Sequence, residues 1–191
     1  MKSMQQKFKL RTPGLAAAVL LMSASAIAAD GNMEEASRLV QQFAGQLKPA
    51  LKQALTEGGP VHAISVCAEE APRIAQELSA NSAWTVRRVS LKPRNADSAQ
   101  PDEWAREVLA KFDADQASGA DPASLVHGEM DGHVYRFMRA QPVEPLCLTC
   151  HGKAVAPGVA DALAKHYPDD RALGYDVGQI RGAFYLTKEM E

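Results

Sequence analysis

The sequence predicts an α+β fold in which one antiparallel sheet packs against helices. Three observations carry the prediction. Early stretches repeat their apolar residues at helical spacing, later stretches read as short β-rich runs, and an Asp-Gly pair joins two of those runs as a hairpin. The chain has 191 residues, with no internal repeat and no low-complexity tract. One domain of about 160 residues is expected after an N-terminal leader.

The leader comes first. Lys2, Lys7, Lys9 and Arg11 precede a continuously apolar run from Leu15 to Met22, and residues 23–29 are nearly all small. A basic start, a short apolar core and a small-residue exit describe a secretory signal peptide over residues 1–28, cleaved after Ala28 or Ala29, with Ala26 the next choice. The apolar run is far shorter than the ~20 residues a membrane span needs. The domain proper is then residues 29–191, exported to the periplasm and soluble there.

Residues 32–57 read as an amphipathic helix with Asn32 as N-cap and Glu35 at the capping-box position. Ala36, Leu39, Val40, Phe43, Leu47 and Leu51 form its apolar stripe. Pro49 should kink or split this helix. Gly58-Gly59-Pro60 ends it and opens a second helical stretch, 61–71, and Pro72 opens a third to Leu78. A strand is expected over 85–91, ended by the turn Lys92-Pro93-Arg94-Asn95. Residues 101–115 form a helix with Trp104, Val108, Leu109 and Phe112 on one face. Strands over 124–130 and 133–140 flank the Asp131-Gly132 turn. A short helix, 159–166, and a strand, 179–187, complete the chain.

The leader holds four of the 21 basic residues and none of the 23 acidic ones, leaving the exported domain at −6. That balance argues against nucleic acid as a partner, because phosphate binding wants a basic face. The three cysteines are an odd number for an oxidising compartment, so something occupies them unevenly.

Cys147-Leu148-Thr149-Cys150-His151 is the strong chemical signal. Two thiols separated by two residues can each add to a vinyl group of one porphyrin, and the adjacent histidine then serves as proximal iron ligand. C-x-x-C-H therefore marks covalent attachment of a c-type haem. Such attachment takes place outside the cytoplasm, in agreement with the leader. A Cys147–Cys150 disulfide of thioredoxin type wants a βαβ setting, whereas these cysteines follow Pro142 and Pro145 in an irregular segment. A structural zinc site has donors enough in Cys147, Cys150, Cys67 and a histidine, but does not require histidine directly after the second cysteine. The expected cofactor is one haem c. Arg88, Arg94 and Arg136 are the candidates for its propionates, with Arg87, Lys92 and Arg139 behind them. Leu39, Phe43, Val89, Tyr135 and Phe137 are available to cover its faces. Each of these is also an ordinary surface or core residue.

For the second axial position His62, His127, His133, His166, Met130 and Met138 are all available. Cys67 differs from them as the thiol left over after haem attachment, set in the apolar helical stretch Ala63-Ile64-Ser65-Val66-Cys67-Ala68. A buried inert cysteine is the alternative reading.

Several motifs occur in fixed order. Ala63-Ile64 precedes Cys67, Ala71-Pro72 and Ile74-Ala75. The run from Arg88 through Asn95 follows, then Pro101-Asp102-Glu103-Trp104, then Cys147 to Gly152. Tyr167-Pro168-Asp169-Asp170, Ala172-Leu173-Gly174-Tyr175 and Gly178 through Gly182 close the series. Together they resemble the exported c-type haem proteins built on a PAS-like domain, long catalogued as a domain of unknown function and found also as sensor modules of histidine kinases. The resemblance covers nearly all of the expected exported domain. It implies a PAS-like antiparallel sheet flanked by helices and holding one haem, with His151 proximal and Cys67 distal. With no output module after Glu191, the chain reads as the haem domain by itself.

The leading expectation is a periplasmic redox protein that exchanges electrons with a partner protein or registers redox state, at low potential because thiolate favours ferric iron. Two filled axial positions argue against an enzyme. A gas or redox sensor, in which a small diatomic ligand replaces Cys67, is the alternative. A small haem peroxidase or reductase is a third, with His127 or His133 serving an open iron.

Overall fold

The computed structural model describes residues 16–190, with side chains from residue 31 onward. Of the leader expected over residues 1–28, residues 1–15 lie outside the described residues and residues 16–28 are described by their backbone alone. In chain order the elements are α1 (Ala16–Ala80), β1 (Thr85–Val89), α2 (Glu103–Ala117), β2 (Val126–Asp131), β3 (Val134–Pro142), α3 (Leu148–His151), α4 (Pro157–His166) and β4 (Ile180–Glu189). Single 3-10 turns occupy Pro122–Ser124 and Pro145–Cys147. No helix among the described residues is long and apolar enough to cross a membrane.

The strands form one antiparallel sheet in the order β1-β4-β3-β2. Alternation along the strands divides their side chains between two cores. Val86, Tyr135, Phe137, Phe184 and Leu186 face α1, where Phe43 meets Phe184 edge-on at 5.1 Å. Val89, Met138, Ala140, Ala183 and Tyr185 face α2, against Val108, Leu109 and Phe112. The expectation of an antiparallel sheet packed against helices holds, with a helix on each face.

Helix α1 turns back on itself. Gly59 has φ 71° and ψ −170°, the single non-helical position within its bounds. A straight helix would hold Ala36 and Leu78 about 60 Å apart, yet both belong to the core that covers the sheet. The break expected at Gly58-Gly59-Pro60 is therefore present. The helix is not split at Pro49, and no new helix opens at Pro72, since α1 runs through both. Each proline is exposed, so the carbonyl it leaves without an N–H partner can turn to solvent or to the cavity described below. Asn32 does not cap a helix either. It lies inside α1, buried, and its side-chain oxygen accepts from Lys188 of β4 at 3.2 Å.

The hairpin turn sits one residue later than expected. Asp131 pairs with Val134, which leaves Gly132 and His133 as the loop. Gly132 takes φ 62°, as the first position of a II′ turn requires, and His133 does not need a positive φ. Helix α2 starts where Asp102 caps it, its carboxylate accepting from the Ala105 N–H at 2.8 Å.

Candidate functional site

The C-x-x-C-H segment is positioned by a break in β3. Its register with β4 shifts between Ala140 and Pro142, and proline cannot donate to a ladder. The chain leaves the sheet there, makes the 3-10 turn Pro145–Cys147 and enters the single helical turn of α3. Residues 172–175 run alongside. The Tyr175 N–H donates to the His151 carbonyl at 3.0 Å, and the Gly174 N–H to the Gly152 carbonyl at 3.1 Å. Gly152 also closes the turn of α3, its N–H donating to the Leu148 carbonyl at 3.0 Å, where a Cβ would stand 2.6 Å from that oxygen.

Arg94 ties the segment down from the other side. Its guanidinium donates to the Cys150 carbonyl and, at 3.3 Å, to that of Ala172, and it pairs with Asp170 at 3.2 Å. Asp170 in turn accepts from the Ala172 N–H at 2.8 Å. Sequence motifs far apart in the chain thus meet as one clamp around α3.

That clamp orients His151. The Nδ1 lies 2.8 Å from the Ala172 carbonyl oxygen. A carbonyl only accepts, so Nδ1 carries the hydrogen and Nε2 keeps its lone pair. Burial, reinforced by Arg181 and Arg94, drives the ring down to about 2. His151 is therefore a neutral imidazole with a free ligating nitrogen.

Next to it is a cavity of ≈ 350 Å³. Cys147, Cys150, His151 and Cys67 all line it. Leu47, Leu51 and Leu55 from the first limb of α1, and Ala63, Ile64 and Ala71 from the second, supply much of its apolar wall. The reversal at Gly59 is what places Cys67 on the same space as α3. All three cysteines are free thiols, each partly buried. Burial pushes the Cys67 thiol up, while Arg88, Arg181 and Arg94 pull it back toward thiolate. Among the described residues no three Cys, His, Asp or Glu side chains stand close enough to share one metal ion, as structural zinc would need.

Arg88 and Arg94 line this cavity, as does Arg181, which sequence reasoning missed. Arg136 does not. It projects from the α2 face of β3, paired with Asp102 at 3.3 Å and Asp131 at 2.9 Å. Of the proposed apolar cover, Val89 reaches the cavity, while Leu39, Phe43, Tyr135 and Phe137 are spent on the core beneath α1. The other axial candidates stand elsewhere. His62, His133 and His166 are exposed, His127 lies 3.4 Å from Glu129, Met130 is exposed, and Met138 is sealed in the core beneath α2.

Fold and site together define an α+β domain whose sheet and reversed helix enclose an apolar, arginine-bearing pocket, with three thiols and one oriented imidazole on its walls. The family model described as Tll0287-like matches residues 16–188, and the chain belongs to the Tll0287-like family. The crystal structure of the cyanobacterial heme-protein Tll0287 is similar to it at 28% identity and a TM-score of 0.60, covering 84% of this chain and 94% of that one. No curated protein matches.

Proposed function

We propose that this chain is an exported c-type haem protein that works in periplasmic electron transfer or redox response. In this reading residues 1–28 are its signal peptide and 29–191 a single PAS-like haem domain. Cys147 and Cys150 hold one haem covalently, His151 is the proximal ligand and Cys67 the distal one. The observation that carries the reading is the convergence of Cys67 with the C-x-x-C-H residues on one apolar cavity. Membership of a family that includes a heme-protein supports it independently.

The residues fit such a group. Two thiols at the right spacing supply attachment, and a neutral imidazole held through Nδ1 supplies a ligating nitrogen. The third thiol faces the same space beneath guanidinium groups that favour its ionised form. Apolar walls exclude water from the faces of a porphyrin, and arginines offer partners for its carboxylates. A haem bound there supplies a one-electron iron couple. With His151 and Cys67 both as ligands to the iron, the chain would favour electron exchange over substrate chemistry.

The absorption spectra of the ferric and ferrous protein, beside Cys67→Ala, test this reading. The expected result is a low-spin ferric wild type with thiolate-to-iron charge-transfer bands that the variant loses. An unchanged spectrum in the variant contradicts distal ligation by Cys67. Reduced wild type should resist carbon monoxide while the variant binds it; ready binding by both would favour a sensor instead.

A further inference from the structure

The charges of the cavity do not balance. Arg87, Arg88, Arg94 and Arg181 line it, and no Asp or Glu does. Two of the four are answered from behind the wall, Arg87 by Asp102 at 3.4 Å and Arg94 by Asp170 at 3.2 Å. Arg88 and Arg181 have no carboxylate partner among the described residues. Arg88 lies over the Phe43 ring, 5.2 Å from its centroid. The Arg181 Nε is buried with no hydrogen-bond partner.

A guanidinium withdrawn from water without a counter-charge is unfavourable, and two side by side are worse. Burial and the neighbouring Arg181 hold Arg88 at about 10. A guanidinium keeps its proton in proteins, so the pocket offers two positive charges that no carboxylate answers beside an apolar space. The ligand that suits it is large, apolar and doubly anionic. Guanidinium is also the group that grips carboxylates through two parallel hydrogen bonds.

We infer that Arg88 and Arg181 seat the two carboxylates of the cavity's ligand, which, on the haem reading above, are the two propionates. Arg88 comes from β1 and Arg181 from the start of β4, neighbouring strands of the sheet. Arg94 is left to clamp α3, and Arg136 has carboxylates of its own on the other face. The seat also bears on potential. Positive charge beside the ring favours the reduced, more electron-rich iron and offsets part of the donation from a thiolate.

The test uses the haem-loaded protein, produced with its leader, as wild type, Arg88→Gln, Arg181→Gln, the double variant, and Arg136→Gln as control. Midpoint potential near neutral pH and the propionate bending bands in the resonance Raman spectrum are the readouts. Each single variant should shift the propionate bands and lower the potential, the double variant should do so more, and the control should match wild type. Unmoved bands and potential in a double variant that retains its haem overturn the seat. Should the glutamine variants fail to fold, Arg88→Lys and Arg181→Lys keep the charge but lose the fork. They should shift the bands with little change in potential, and no shift in either overturns the seat too. A wild-type chain matured without haem overturns the haem reading, and the assignment of propionates with it.

Discussion

The Nδ1 of His151 is held by the Ala172 carbonyl, and Ala172 is held by Asp170, whose carboxylate also answers Arg94. Of the Arg94–Asp170 pair, only 17% and 7% of the respective side chains are exposed. Its members cannot be removed singly without stranding the other. Asp170→Ala should therefore cost about 3 kcal/mol in urea unfolding, the order expected when one partner of a buried pair is deleted. A loss under about 1 kcal/mol would mean that the clamp adds little. At this scale the C-x-x-C-H residues stand out in the sequence because their chemistry is local, the odd thiol count singles out Cys67, and the structure brings them to one cavity. Arg136 was misplaced for a reason the sequence already contained. It adjoins Phe137 in a strand, and neighbours in a strand face opposite sides of the sheet. Arg181 was illegible because its value depends on which arginines lack carboxylates, a fact of tertiary structure.

Elements were read well where a signal was steric and less well where it was only a propensity. The reversal at Gly59 and the hairpin at Gly132 both need backbone conformations that glycine supplies, and both appeared within a residue of their expected places. Pro49 and Pro72 were expected to interrupt α1, yet packing of the helix on the sheet and around the cavity outweighs one missing hydrogen bond at an exposed position. The same distinction predicts opposite effects for two glycines. A Cβ at Gly152 would sit 2.6 Å from the Leu148 carbonyl oxygen, and backbone gives way only by moving α3. Gly152→Ala should destabilise by about 1–3 kcal/mol, as overpacking does. Gly45, inside α1, has nothing within 4 Å of its virtual Cβ. Gly45→Ala should be neutral or stabilise by up to about 1 kcal/mol. Thermal unfolding of the two variants checks the pair, and equal behaviour would show that the approach of Leu148 to Gly152 does not matter.

In the molecule as a whole, α1 closes one face of the sheet and α2 the other, and the cavity lies where the two limbs of α1 meet the ends of β1 and β4 and the returning segment of α3. The fold class was legible from periodicity together with the Asp-Gly turn signal. The way Cys67, 80 residues before the first cysteine of the motif, comes to share a pocket with it was implied by the family pattern rather than by spacing. The central proposal is that Cys147 and Cys150 bind one haem covalently, and the intact mass of the denatured protein tests it most directly. The chain should be produced with its leader in cells that mature c-type haem, then extracted with acidified acetone before weighing. The expected result is a single species with the mass of the polypeptide plus one haem, its colour staying with the protein. A species with the mass of the bare polypeptide, with the pigment gone into the solvent or none present, would contradict it.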